Sequence, residues 1–239
     1  MPIYYYAILL FTVFFSGMTI FLFKKLSQQF LKMLLSFSGA YLFGLCVLHL
    51  IPEVYDSSIK WIGAFVLVGF LLQIILEVFS QGIEHGHIHI HKTHAHAFPL
   101  AMIIGLCVHS FLEGMPLVQK FANSSTQKSL LFGITLHHIP VALALMSMLL
   151  QSHISKNGAV FYLLLFALMA PLGAFTSQLI NDSTMKELSG FFDCIMAVVI
   201  GIFLHISTTI LFENDKDHRF NYFKLIIILL GAGLAFLSL

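Results

Sequence analysis

Charge is scarce in this chain of 239 residues: 12 Lys and Arg and 11 Asp and Glu make up 10% of it, while 59% is hydrophobic and the mean hydropathy is +0.94. Soluble globular domains carry about a quarter charged residues, so a water-soluble protein of ordinary design is excluded. The two signs nearly cancel, which leaves no basic field to attract nucleic acid and no acidic tail to solvate a disordered arm. Nucleic acid therefore drops out as a partner. Cysteine is equally sparse. Cys46, Cys107 and Cys194 are odd in number and lie inside apolar stretches, which argues against a disulfide framework. No hydrophilic stretch is long enough for a second domain, so residues 1–239 read as one transmembrane domain without a soluble catalytic module. The first apolar run also lacks the charged start of a secretory signal. It has no Lys or Arg before Lys24 and is followed by Lys24-Lys25, so it is expected to be a retained helix.

Long apolar runs, by contrast, are abundant. Stretches of about 20 residues, enough to cross a hydrocarbon layer of about 30 Å, occur at Tyr4–Phe23, Met33–Ile51, Trp61–Phe79, Phe98–Val118, Ser129–Leu150, Ala159–Leu179, Gly190–Phe212 and Tyr222–Leu237. The expected fold class is all-α, a polytopic membrane bundle of eight transmembrane helices with the lipid bilayer as its surroundings. Counting basic residues on alternate sides puts Lys24, Lys25, Lys32, Lys92, Lys156, Lys216, Arg219 and Lys224 against Lys60, Lys120, Lys128 and Lys186. The richer side is cytoplasmic by the positive-inside rule, which places both termini outside and residues 83–97 in the cytoplasm. Tyr4-Tyr5-Tyr6, Trp61 and Tyr222 fall at span ends as interfacial anchors. A bacterial inner (plasma) membrane is the simplest host for a chain of this kind without a targeting segment.

Histidine is the polar residue in excess, with 13 copies. A membrane chain has little use for imidazoles unless they bind or relay something. In the fourth run, His109-Ser110-Phe111-Leu112-Glu113-Gly114 puts His109 and Glu113 four residues apart, on one face of a helix. They can form a pair that stitches two helices together, or they can meet one ion. The fifth run adds His137-His138-Ile139-Pro140, where proline frees a carbonyl one turn back beside two imidazoles. Two such spans in succession favour a ligand role. His49 and Glu53, around Pro52 at the end of the second run, read as part of an entrance or as an interfacial polar cap. His205 and Gln73 are single polar residues suited to interhelical hydrogen bonds, and His205 is kept as an accessory to an entrance or exit.

A different feature occupies residues 83–97. His85, His87, His89, His91, His94 and His96 alternate with small and apolar residues in a stretch too short and polar to fold alone. Neighbouring imidazoles there can share a metal in several geometries, giving weak and exchangeable binding. Imidazoles with one carboxylate suit Zn²⁺ and also iron, cobalt, nickel or copper, whereas Mg²⁺ and Ca²⁺ call for oxygen-rich cages.

With these residues in view, the chain resembles the ZIP family of zinc- and iron-transporting membrane proteins over nearly its whole length. The family's fourth-span motif, approximately His-Asn-x-x-Asp/Glu-Gly, is similar to His109-Ser110-Phe111-Leu112-Glu113-Gly114. The resemblance implies that His109 and Glu113 are metal ligands, with Ser110 a weaker one. In the fifth span His137 matches, His138 stands where an acid is usual, and Val141 stands where a ligand is usual. In the sixth, Ala170-Pro171-Leu172-Gly173 stands where many members have Glu-Pro-Leu-Gly. One metal site rather than two is expected. The implied function is uptake of a divalent transition metal toward the cytosol by moving one group of helices against another. Zn²⁺ is the expected substrate, with Fe²⁺, Mn²⁺ and Cd²⁺ as alternatives, and a second copy of the chain, as a homodimer, is a candidate partner beside the metal ion and the bilayer. Two rival readings remain: a sensor or degenerate member that binds without transporting, and an intramembrane zinc hydrolase. The second would need a free base, for which only Glu77 and Asp193 offer themselves. The chain is accordingly read as a transporter and not an enzyme.

Overall fold

The computed structural model of the chain describes residues 1–22, 27–80, 82, 100–119, 121, 123–152, 154–183, 189–212 and 222–238. The histidine-rich stretch with His85, His87, His89, His91, His94 and His96 lies outside the described residues. Within them the architecture is helical throughout. Helix α1 (Ile3–Met18) tightens into a 3₁₀ turn at Thr19–Leu22. Helix α2 (Gln28–Leu45), a π turn at Cys46–Leu50 and helix α3 (Ile51–Tyr55) form one rod. Then follow α4 (Ile62–Ser80), α5 (Leu100–Gly114) with a 3₁₀ turn at Met115–Val118, α6 (Ser124–Gln151), α7 (Lys156–Ser183), α8 (Ser189–Phe212) and α9 (Tyr222–Leu237).

Seven of these rods are long and apolar enough to cross a bilayer, and α9 is apolar but shorter at 16 residues. The eight-span, all-α expectation therefore describes the molecule, which is an integral membrane protein. Helices α6 and α7 run to 28 residues each and overshoot the apolar stretches read from the sequence. Their polar ends stay helical because helix carries its backbone hydrogen bonds internally wherever the hydrocarbon ends. Local chemistry sets the starts: the Ser27 hydroxyl accepts from Phe30 N–H at 3.4 Å, and the Asn123 carboxamide oxygen accepts from Ser125 N–H at 3.0 Å. The π turn precedes Pro52, whose ring would crowd the carbonyl four residues earlier in regular helix.

Two sets of helices emerge from the packing. In one, α5 lies along α7 and α1 lies against α6 and α7; in the other, α4 lies along α8 and α2 along α9 and α8. The sets meet where α2 touches α6 and where α4 touches α5. Helix α6 is the most enclosed and α4 the least, its outer face carrying exposed aliphatic side chains such as Leu67, Leu71, Ile75 and Val78. Where lipid is as apolar as the side chains, helices associate by close packing of small residues. Gly69 abuts the Val198 carbonyl and Gly201 the Val66 carbonyl, locking α4 to α8. Gly114 abuts the Ala170 carbonyl and Gly173 the Phe111 carbonyl, locking α5 to α7.

A methyl group at Gly201 would run into three backbone atoms of α4, whereas one at Gly233 would meet nothing within 4 Å. Gly201→Ala should cost about 1–3 kcal/mol, as overpacking typically does, and Gly233→Ala nothing measurable. Thermal unfolding of the detergent-solubilised variants checks this. Equal melting of the two would refute the packing account.

Candidate metal centre

Helix α5 presents His109 and Glu113 one turn apart, and the Nε2–Oε1 distance is 3.1 Å. Helix α6 supplies His137 and His138 just before Pro140, on the enclosed rod. His138 Nε2 lies 2.8 Å from Glu113 Oε2, so the carboxylate sits between imidazoles of two helices. All four side chains are cut off from solvent, at 0% exposure for His109, Glu113 and His137 and 1% for His138. Their rings stand 6.1–6.5 Å apart, centre to centre, around that carboxylate.

One ligand atom each from His109, Glu113 and His137 lie within 4.8 Å of one another, the single such group among the described residues. Zinc takes nitrogen and carboxylate oxygen at about 2.0–2.2 Å, so tetrahedral ligand atoms stand roughly 3.4 Å apart. The His109–Glu113 separation of 3.1 Å is already near that value, and His137 lies within the 4.8 Å that side-chain movement must narrow. The proton inventory points the same way. His109 Nδ1 lies 3.1 Å from Gln73 Oε1, which can only accept, so the ring donates its Nδ1–H there. Its Nε2 then turns a lone pair toward Glu113 Oε1, an approach of two electron-rich atoms that a shared cation relieves.

The donor set of imidazoles and one carboxylate selects borderline transition ions over Mg²⁺ and Ca²⁺. With a single carboxylate, a divalent ion here keeps one formal positive charge in a dry setting. Ser110 is buried on the same turn as His109. Val141 and Ala170 are both buried within apolar clusters, and neither carries a donor side chain.

The remaining candidates lie elsewhere. His49 bonds through Nε2 with the Ala235 carbonyl and the Ser238 hydroxyl, each at 3.3 Å, and with Glu53 and Asp56 it lines an open cavity of about 590 Å³. His205 pairs with Glu77 at 3.5 Å and packs edge-on against Phe70. Gln73 does make the interhelical bond that its isolation suggested, and its partner is a candidate ligand. The bases that a hydrolase would need are engaged away from the group: Glu77 with His205, and Asp193 with Gln119, whose amide donates at 2.9 Å.

The model of the family described as ZIP Zinc transporter matches residues 85–239. Zinc transporter ZIP9-B of Xenopus laevis is 27% identical over 153 residues, covering 62% of this chain and 50% of that protein. Zinc transporter ZIP9 of Micropogonias undulatus is 27% identical over 158 residues, with 62% and 49% covered. Zinc transporter ZIP9 of Macaca fascicularis is 31% identical over 110 residues, with 44% and 47% covered. The chain spans about half the length of the curated relatives it matches.

If the buried group holds the metal, a chain whose six loop histidines are replaced by serine should bind one Zn²⁺. Glu113→Ala should then weaken binding by more than the 10–100-fold typical of losing an outer partner. Equilibrium dialysis reads both numbers.

Proposed function

The chain belongs to the ZIP zinc transporter family, and from that premise we propose that it carries Zn²⁺ across the bilayer toward the cytosol. His109, Glu113 and His137 are the proposed ligands, with His138 completing a fourth corner and Ser110 as a weaker donor. The observation that carries this reading is the convergence of those three donor side chains, fully buried, inside spanning helices. An ion in transit must exchange its hydration shell for protein donors before it enters a low-dielectric interior, and this group offers such donors. It is a site for a passenger, and no reaction is assigned to it.

The rest of the reading follows from the same premise. Residues 83–97 would gather metal on the cytoplasmic side through His85, His87, His89, His91, His94 and His96, and the His49–Glu53 cavity would serve as the entrance. His205 would act on the exit side. Residues 1–239 act as one membrane domain, in a plasma membrane, with both termini outside. Fe²⁺, Mn²⁺ and Cd²⁺ are alternative passengers, and a homodimer is compatible with the arrangement. The burial of Val141 and Ala170 among apolar side chains favours a single ion per chain. It also supports the second reading, a member that binds without transporting.

Reconstitution in sealed vesicles with an enclosed indicator separates these readings. Saturable Zn²⁺ entry that disappears in each of His109→Ala, Glu113→Ala and His137→Ala is the expected result; binding without entry would select the second reading. For orientation, Lys128→Cys should react with an impermeant maleimide added outside intact cells, and Lys156→Cys should not. The opposite pattern would invert the topology.

A further inference from the structure

Gln73 belongs to α4, yet its side chain reaches the candidate ligands on α5. It is fully buried, and its Oε1 lies 3.1 Å from His109 Nδ1. The approach depends on the register of two antiparallel helices. Gly105, one turn before His109, lets α5 come against Leu76, Phe79 and Ser80 of α4, where a methyl group would sit 3.2–3.3 Å from their atoms. One turn further along α5, the same register sets His109 opposite Gln73.

Two physical consequences follow. An acceptor at Nδ1 fixes the ring as the Nδ1–H tautomer and directs Nε2, with its lone pair, toward Glu113. Outer partners of this kind hold a metal-binding imidazole in orientation and raise its basicity. The second consequence concerns the helix sets. The candidate ligands stand on α5 and α6, in the set built with α1 and α7, while Gln73 stands on α4, in the set built with α8, α2 and α9. The bond therefore crosses the seam between sets, and a displacement by one helical turn, about 5.4 Å, would break it.

We propose that Gln73 is a positioning residue for the metal: by accepting the Nδ1–H of His109 across the seam, it aims Nε2 at the ion in this arrangement of the two helix sets. When the sets move apart in register the bond is lost, the imidazole is freed to turn, and affinity falls where the ion must leave. This deepens the transport reading above and rests on it.

The test uses Gln73→Leu, which keeps the volume but removes the acceptor, and Gln73→Glu, which restores an acceptor at the same reach. Both are assayed for Zn²⁺ affinity by dialysis in the loop-substituted background, and for uptake KM and maximal rate in vesicles. Gln73→Leu should raise the zinc dissociation constant and KM by about 10–100-fold, the range for outer partners of metal-bound imidazoles, while melting in metal-free detergent stays near the parent. Gln73→Glu should return both constants to within a few-fold of the parent. A Gln73→Leu protein with parental affinity, or a Gln73→Glu protein as weak as Gln73→Leu, would overturn the proposal. A parent that binds zinc without moving it would instead sink the transport reading, and the affinity ratios would still decide the role of Gln73.

Discussion

A carboxylate with no access to water is expensive to keep inside a membrane protein, and the arrangement around Glu113 answers that cost. Its two oxygens face imidazole nitrogens from α5 and α6 at 3.1 and 2.8 Å: His138 can donate to one oxygen, while the lone pair that His109 turns toward the other leaves a place that a cation would fill. Those rings in turn demand partners. His109 finds one on α4, and His138 rests edge-on against Phe166 of α7. One buried charge thus links four successive helices, α4 to α7.

This polar knot is held by a frame that has little polar chemistry of its own. Glycine-on-carbonyl contacts lock α4 to α8 and α5 to α7, and the enclosed α6 carries His137 and His138 beside Pro140. Close backbone packing is what the bilayer rewards, because exchanging one apolar contact for another gains nothing there. The frame falls into two helix sets, with the candidate ligands in one and a hydrogen-bonding partner of a ligand in the other. That division gives the transport reading its mechanical content: a site carried by one set can change its environment when the sets shift.

The resemblance to the ZIP family was legible from a few residues, since His109 with Glu113 and His137 with Pro140 lie in adjacent motifs. The family match over 85–239 covers both. Less legible was how the other histidines sort. His49 and His205 have the same side chain as His109 and also lie in or at the ends of apolar runs, yet one faces an open cavity and the other pairs with Glu77. Spacing along one helix says which side chains share a face, but not which face of another helix lies opposite.

Hydropathy alone therefore determined that the chain is a bundle of membrane-crossing helices, because the length and apolarity of each run are properties of consecutive residues. The i,i+4 spacing likewise determined that His109 and Glu113 share one face of a helix. Tertiary structure decided that α6 brings His137 and His138 to that pair, and that Gln73, an isolated polar residue in α4, lies against His109. It also decided that Gly69, Gly114, Gly173 and Gly201 are the points of closest backbone approach. Each depends on the register between helices, which is set by how whole surfaces pack against one another.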